Sequence, residues 1–193
     1  MKRILSILSV FSFAAMMTLS SAAQANKQGA KSATTTEKQS AGAGDTDSTF
    51  VAKAARGDLA EMELGQLAAQ KASSQEVKKF GQRMVDDHTK ANDELKQVAA
   101  EKHINLPQQL DARDKAMKAR LEKLSGQQFD RAYMRDVVRN HQKDLAEFER
   151  ESKMAKDPAV KSFAQQTLPT LREHLKEAEK IAPKQQTART SGL

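Results

Sequence analysis

The sequence predicts an all-α protein: a four-helix bundle with a short connector helix between its second and third long helices. Three observations predict it. From residue 48 onward, apolar residues recur at steps of three and four, the period of an amphipathic helix. Ala, Lys, Glu, Gln and Leu dominate that part of the chain, while Trp is absent and aromatics make up only 4 %, a mixture that favours helix over sheet. The same composition lacks the aromatic girdles and short alternating segments of a membrane β-barrel. Finally, each apolar stripe takes two or three positions per heptad, so no helix is apolar all round and the stripes must face one another.

The first long helix is predicted over 49–71, opened by Asp47 or Ser48 as N-cap. The second spans 74–102, with Ser74 as cap and Val77, Phe80, Met84, Ala91, Leu95 and Val98 along one stripe; Asn105 and Pro107 end it. The connector helix covers 111–124, and Ser125-Gly126 punctuates it. The third long helix covers 127–155, carrying Phe129, Met134, Val137, Leu145 and Phe148 inward. Asp157-Pro158, a cap followed by proline at the first helical position, starts the fourth, which runs to 182. Pro169 lies inside that helix and is expected to kink it or interrupt its bonding. Two hairpins joined by a longer connection spell a bundle with a crossover, folded by burial of the stripes at about 25 cal/mol per Å².

The flanks read differently. Lys2-Arg3, an apolar run over 4–19 and small residues at Ala23 and Ala25 make a signal peptide over 1–25, with Asn26 as the mature N-terminus. That run is short of the roughly 20 residues of a membrane span, so cleavage is preferred to anchoring and no transmembrane segment is expected afterwards. The protein is therefore expected to be exported, to the periplasm or beyond. Residues 26–47 and 183–193 hold too few large apolar residues to offset their ordering entropy and read as a disordered linker and tail.

Zero cysteines exclude a disulfide framework, a thiolate metal site, a cysteine nucleophile and a lipid-modified Cys. The formal net charge of +7 falls to +5 without the leader, and over 48–182 basic residues exceed acidic ones by only three, interleaved along the helices. A polyanion-binding stripe would cluster, so nucleic acid is not an expected partner. Protein partners are not specified, and a homo-oligomer remains open.

The chemistry lies in what interrupts the stripes. His88 follows Val77, Phe80 and Met84 in phase; His141 follows Met134 and Val137; His174 follows Phe163, Thr167 and Leu171. On the first helix Glu61 is in phase with Phe50, Ala54, Leu64 and Ala68, beside a second stripe through Val51, Leu59 and Met62. All four lie roughly 18–24 Å along their helices, near the middle, so they approach one level whichever way the helices point. His103, in the loop after the second helix, does not. Two chemistries suit a converged Glu61, His88, His141 and His174: a single transition-metal ion (Zn, Fe or Cu) in a His₃Glu set, or a metal-free hydrogen-bonded network. Asp87, Asp144 and Glu177 are candidate supporting partners or extra ligands, set against a solvated charged face. Met84 and Met62 suit soft copper or simple packing, and Tyr133 packing or a hydrogen bond to the polar layer. No phosphate loop, nucleotide motif or Ser-His-Asp pattern occurs, and no catalytic residue is assigned.

The stretches Phe50-Val51-Ala52-Lys53-Ala54-Ala55, Met84-Val85-Asp86-Asp87-His88, Phe129-Asp130-Arg131-Ala132-Tyr133 and Thr167-Leu168-Pro169-Thr170-Leu171-Arg172-Glu173-His174 resemble a bacterial domain-of-unknown-function family. Its members are exported ferritin-like four-helix bundles, named as outer-membrane or periplasmic proteins. The resemblance covers 48–182 and implies a ferritin-like fold but no established reaction. Di-iron bundles carry Glu-x-x-His on two helices. Here Val85, Val138 and Leu171 stand three residues before the histidines, so a ferroxidase-type pair is not expected, and at most one ion or a modified pair is. Three functions follow for comparison: a metal-binding bundle for storage, scavenging or stress protection; a structural or adaptor protein of the envelope with a metal-free core; and a metal-dependent oxidoreductase. Binding is preferred to catalysis.

Overall fold

The computed structural model describes residues 43–187, which form five helices and, among the described residues, no strand. The expected leader, most of the expected linker and the end of the tail lie outside the described residues. The helices are α1 (Ala43–Lys71), α2 (Gln75–Glu101), α3 (Ala112–Glu122), α4 (Gly126–Met154) and α5 (Pro158–Thr187). α1 starts earlier and α5 ends later than expected, so helix takes in residues read from sequence as linker and tail. No described helix is long and apolar enough to cross a membrane.

α1 packs along α2 and α4 along α5, with α2 against α5 and α1 against α4 closing the ring. Two buried aspartates fix how the hairpins meet. Asp47 is not the N-cap of α1: it lies inside the helix, and its Oδ2 accepts the backbone N–H groups of Lys156 and Asp157 at 3.1 and 2.8 Å. Asp130, near the start of α4, does the same at the other hairpin, accepting from the Ser73 and Ser74 N–H groups, both at 2.9 Å, and from the Ser73 hydroxyl. Ser74 holds the N-cap position of α2 but makes no side-chain cap bond. Each aspartate thus satisfies donors that a helix start leaves orphaned. The start of α1 therefore meets the end of α4, and the start of α4 meets the end of α1. These two helices are antiparallel, and α2 and α4 point the same way. The chain must cross the bundle's length between them, and α3 lies on that crossover against α1 and α4.

The two hairpins repeat at an offset of 83 residues. Asp47 matches Asp130, Arg56 matches Arg139, and Ala72, Val77, Lys78, Phe80 and Gln82 match Ala155, Val160, Lys161, Phe163 and Gln165. An up-down hairpin and its inverted copy are related by a pseudo-twofold across the bundle, which explains why the aspartate contact occurs twice.

The apolar core is split. One cluster, with Phe80, Met84, Phe129, Tyr133 and Leu121, fills one end. The other, with Phe50, Val51, Leu95, Phe163 and Leu171, fills the opposite end. Between them lie buried polar side chains. Pro169 does not interrupt α5, which is helical throughout. Pro169 faces solvent, and the carbonyl it leaves without a donor belongs to Gln165, which is also exposed to solvent.

α1 and α2 approach most closely at Gly65 and Gly81. A Cβ built on Gly81 meets the Gly65 carbonyl oxygen at 2.7 Å and the Ala69 nitrogen at 2.9 Å. Gly81→Ala is expected to lower stability by roughly 1–3 kcal/mol through overpacking against backbone. A thermal melt unchanged from the parent would contradict this close contact.

Candidate metal centre

The three histidines converge as their phase predicts. His88 comes from α2, His141 from α4 and His174 from α5, and all three are buried. Their ring centroids are 5.4–5.8 Å apart, and one ring nitrogen from each lies within 4.8 Å of the others. Neighbouring steps of the same stripes place Phe80 edge-on to His174 and seal the layer from one core cluster.

Each ring is held from its outer side. Nδ1 of His88 lies 2.8 Å from Asp58 Oδ1 on α1. Nδ1 of His141 lies 3.2 Å from the Val137 carbonyl one turn back on its own helix. Nε2 of His174 lies 2.9 Å from Asp87 Oδ2 on α2, and Asp87 is itself gripped by Arg83, which also binds Glu173 and Glu177. A carbonyl or carboxylate can only accept, so each outer nitrogen carries the proton. The inner nitrogens, Nε2 of His88, Nε2 of His141 and Nδ1 of His174, then carry lone pairs when the rings are neutral.

This leaves a conflict. Nε2 of His141 and Nδ1 of His174 are only 3.3 Å apart, with no proton between two neutral rings. Burial, together with the repulsion that protonated His88 and His174 would exert, pushes His141 down to about 3, and the Val137 carbonyl offsets this only in part. His174 is also lowered, first by burial, against the pull of Asp87. Both rings are thus neutral at physiological pH. His88 behaves differently. Burial acts to lower its pKa, but the Asp58 hydrogen bond and the charges of Asp58, Glu61 and Asp144 prevail and raise it. Burial raises Asp58 too, against the hydrogen bond and charge of His88. Nε2 of His88 is buried with no partner in the protein. As a neutral ring it aims a lone pair into the cluster; protonated, it strands an N–H there.

Glu61 is buried at the same level but does not join the three-imidazole group. It falls in a second group with His141 and Asp144. Its Oε1 accepts from Asn140 at 3.4 Å and its Oε2 has no partner in the protein. Burial lifts its pKa to about 7, and burial likewise lifts Asp144 to about 6.

Of the other candidates, Asp87 orients His174, whereas Glu177 binds Arg83 and reaches no histidine hydrogen-bond partner. Met84 is in the core, and the sulfur of Met62 accepts from the Thr89 hydroxyl. Tyr133 is buried between Phe129 and Phe80, its hydroxyl without a partner in the protein. His103 is exposed in the loop, at a positive φ of 55°. Asp58, which holds His88, is absent from the sequence-derived candidates. Its signal was the repeat: 83 residues on from Asp58 stands His141, and 83 on from Glu61 stands Asp144.

Fold and site together define a helical bundle of the ferritin-like kind with a buried imidazole cluster at mid-height. The chain belongs to the domain-of-unknown-function family DUF4142, whose family model matches residues 30–181. It is similar in fold to the crystal structure of a DUF305 fragment from Deinococcus radiodurans, at 15 % identity and a TM-score of 0.64, covering 72 % of this chain and 95 % of that one. It is also similar to a DUF305 protein from Streptomyces coelicolor, named a candidate secreted protein, at 11 % identity and a TM-score of 0.63, covering 75 % and 96 %. At such identities the likeness concerns the fold alone. No curated protein matches the sequence significantly.

The raised pKa of Glu61 has a sign. Its folded value of about 7 lies above the ordinary 4.5, so its protonation stabilises the fold fully below pH 4.5 and that stabilisation is lost as pH rises through 7. In metal-free protein Glu61→Gln is expected to raise stability at pH 8, by up to about 3 kcal/mol, and to change it little at pH 4. Urea unfolding at the two pH values measures this; an equal effect at both contradicts it.

Proposed function

We propose that this protein is an exported metal-binding bundle that holds one transition-metal ion through Nε2 of His88, Nε2 of His141 and Nδ1 of His174, for storage, scavenging or stress protection. The observation that carries this is the pair of inward nitrogens 3.3 Å apart with their protons committed elsewhere. Two nitrogens bound to one tetrahedral ion at about 2.0–2.1 Å are separated by roughly 3.3–3.4 Å. A cation removes the lone-pair conflict; without one, the cluster must import a proton into a buried site.

The outer acceptors support the same reading. Histidine ligands are oriented by a carboxylate or carbonyl on the far nitrogen, and Asp58, Val137 O and Asp87 provide one for each ring. Three neutral nitrogens suit Zn, Cu or Fe more than the hard alkaline-earth ions. Export is supported by the N-terminal leader pattern and by the name of the Streptomyces coelicolor relative in fold. A metal-free network, with a proton between His141 and His174, is the alternative that the following experiment separates.

Protein purified without chelators and loaded with zinc is expected to retain one ion per chain by elemental analysis, and His88→Ala/His174→Ala to retain none. Asp87→Asn, which keeps the ligands but loosens His174, is expected to weaken affinity about 10–100-fold. Equal, negligible metal in parent and double variant contradicts the proposal.

A further inference from the structure

The contacts that hold the imidazole rings leave carboxylate oxygens beside the cluster unused. Glu61 Oε2 and Asp58 Oδ2 are both buried and both lack a partner in the protein. They border one cavity of about 30 Å³ between α1 and α4, which Asp144 and His88 also line. A water-sized sphere needs roughly 10–15 Å³ of such volume, so the cavity accommodates a small ion with little else. The ligand-capable group here is Glu61, Asp144 and His141, but Nδ1 of His141 is given to the Val137 carbonyl and Nε2 faces His174. The ring of His141 is therefore a wall between the two groups, and the cavity presents oxygen donors.

We propose that this carboxylate cavity is a second cation position, in which Glu61 and Asp144 bind an oxygen-preferring divalent ion such as Mn²⁺ beside the nitrogen-ligated one. It rests on the three-histidine site only for its neighbour; its own donors are separate. Unpartnered buried carboxylate oxygens are costly, and a divalent cation compensates several at once. Oxygen donors select Mn²⁺-class ions and imidazoles select Zn²⁺ or Cu²⁺, so the two positions sort metals by chemistry.

An approach to it exists. The cavity shares Lys53, Gly57, Glu61, Asp144 and Glu147 with an open cleft on the α1–α4 surface. A Cβ on Gly57 would meet nothing within 4 Å, so the helix face is open there. Lys53 pairs with Glu147 across this mouth.

The test is Mn²⁺ binding to purified protein already holding one equivalent of Zn²⁺, read from loss of the free Mn²⁺ EPR signal. The expected result is one Mn²⁺ per chain, weakened at least tenfold in Glu61→Gln/Asp144→Asn while zinc is retained. Should that variant lose its helical circular dichroism, Glu61→Gln alone makes the same comparison. Zinc-loaded protein that takes up no Mn²⁺, or a variant that binds it as the parent does, overturns the second position and leaves the histidine site standing. Protein that takes up Mn²⁺ at these carboxylates but no zinc overturns the histidine site instead, and uptake of neither overturns both.

Discussion

The structure turns on one constraint: a polar layer spans the middle of an otherwise apolar bundle, and every ring in it is pinned from outside. Leu95, Phe163 and Leu171 close one end of the core and Phe80, Met84 and Tyr133 the other. Between them His88, His141, His174, Asp58 and Glu61 are shielded from water. Burying such groups is unfavourable unless each finds a partner. The outer nitrogens do, in Asp58, Val137 O and Asp87; of the inner ones, those of His141 and His174 meet only each other and that of His88 meets none. A core assembled for stability alone would place leucine at these positions, as it does at Leu171, which the repeat matches to His88.

The inverted repeat explains how one layer comes to draw on every long helix. A pseudo-twofold through mid-bundle relates the two hairpins, so matched positions near that axis lie close to one level. Asp58 and His141 are one such pair, Glu61 and Asp144 another. Asp47 and Asp130, also matched by the repeat, lie at opposite ends of the bundle, each tying the start of its helix to the other hairpin's turn. Those end contacts set the register of the hairpins, and the register sets the height of the histidines.

Much of this was legible in sequence because it follows from period. The steps of three and four fixed four long helices within a few residues and placed three histidines inward, and the mid-helix offsets put them on one level. What escaped has physical causes. Asp47 has the chemistry of an N-cap and stands near a helix start, but its acceptor serves a neighbour 110 residues away. Asp58 is on the same face as Glu61, one turn earlier, yet only the tertiary pairing with His88 distinguishes it from a surface carboxylate. Glu61 has the right phase and height, but phase cannot say which of two adjacent groups a side chain joins. Pro169 reads as a breaker on propensity, and its exposed position makes the lost bond inexpensive.

The central claim is that three particular ring nitrogens face one point with their lone pairs. Imidazole ¹⁵N NMR during zinc titration tests it most directly. The account predicts that Nε2 of His88, Nε2 of His141 and Nδ1 of His174 shift with the first equivalent, while Nδ1 of His88 and His141 and Nε2 of His174 keep their protons. Shifts confined to His103, or protons found on the inner nitrogens of His141 and His174 together, would contradict it.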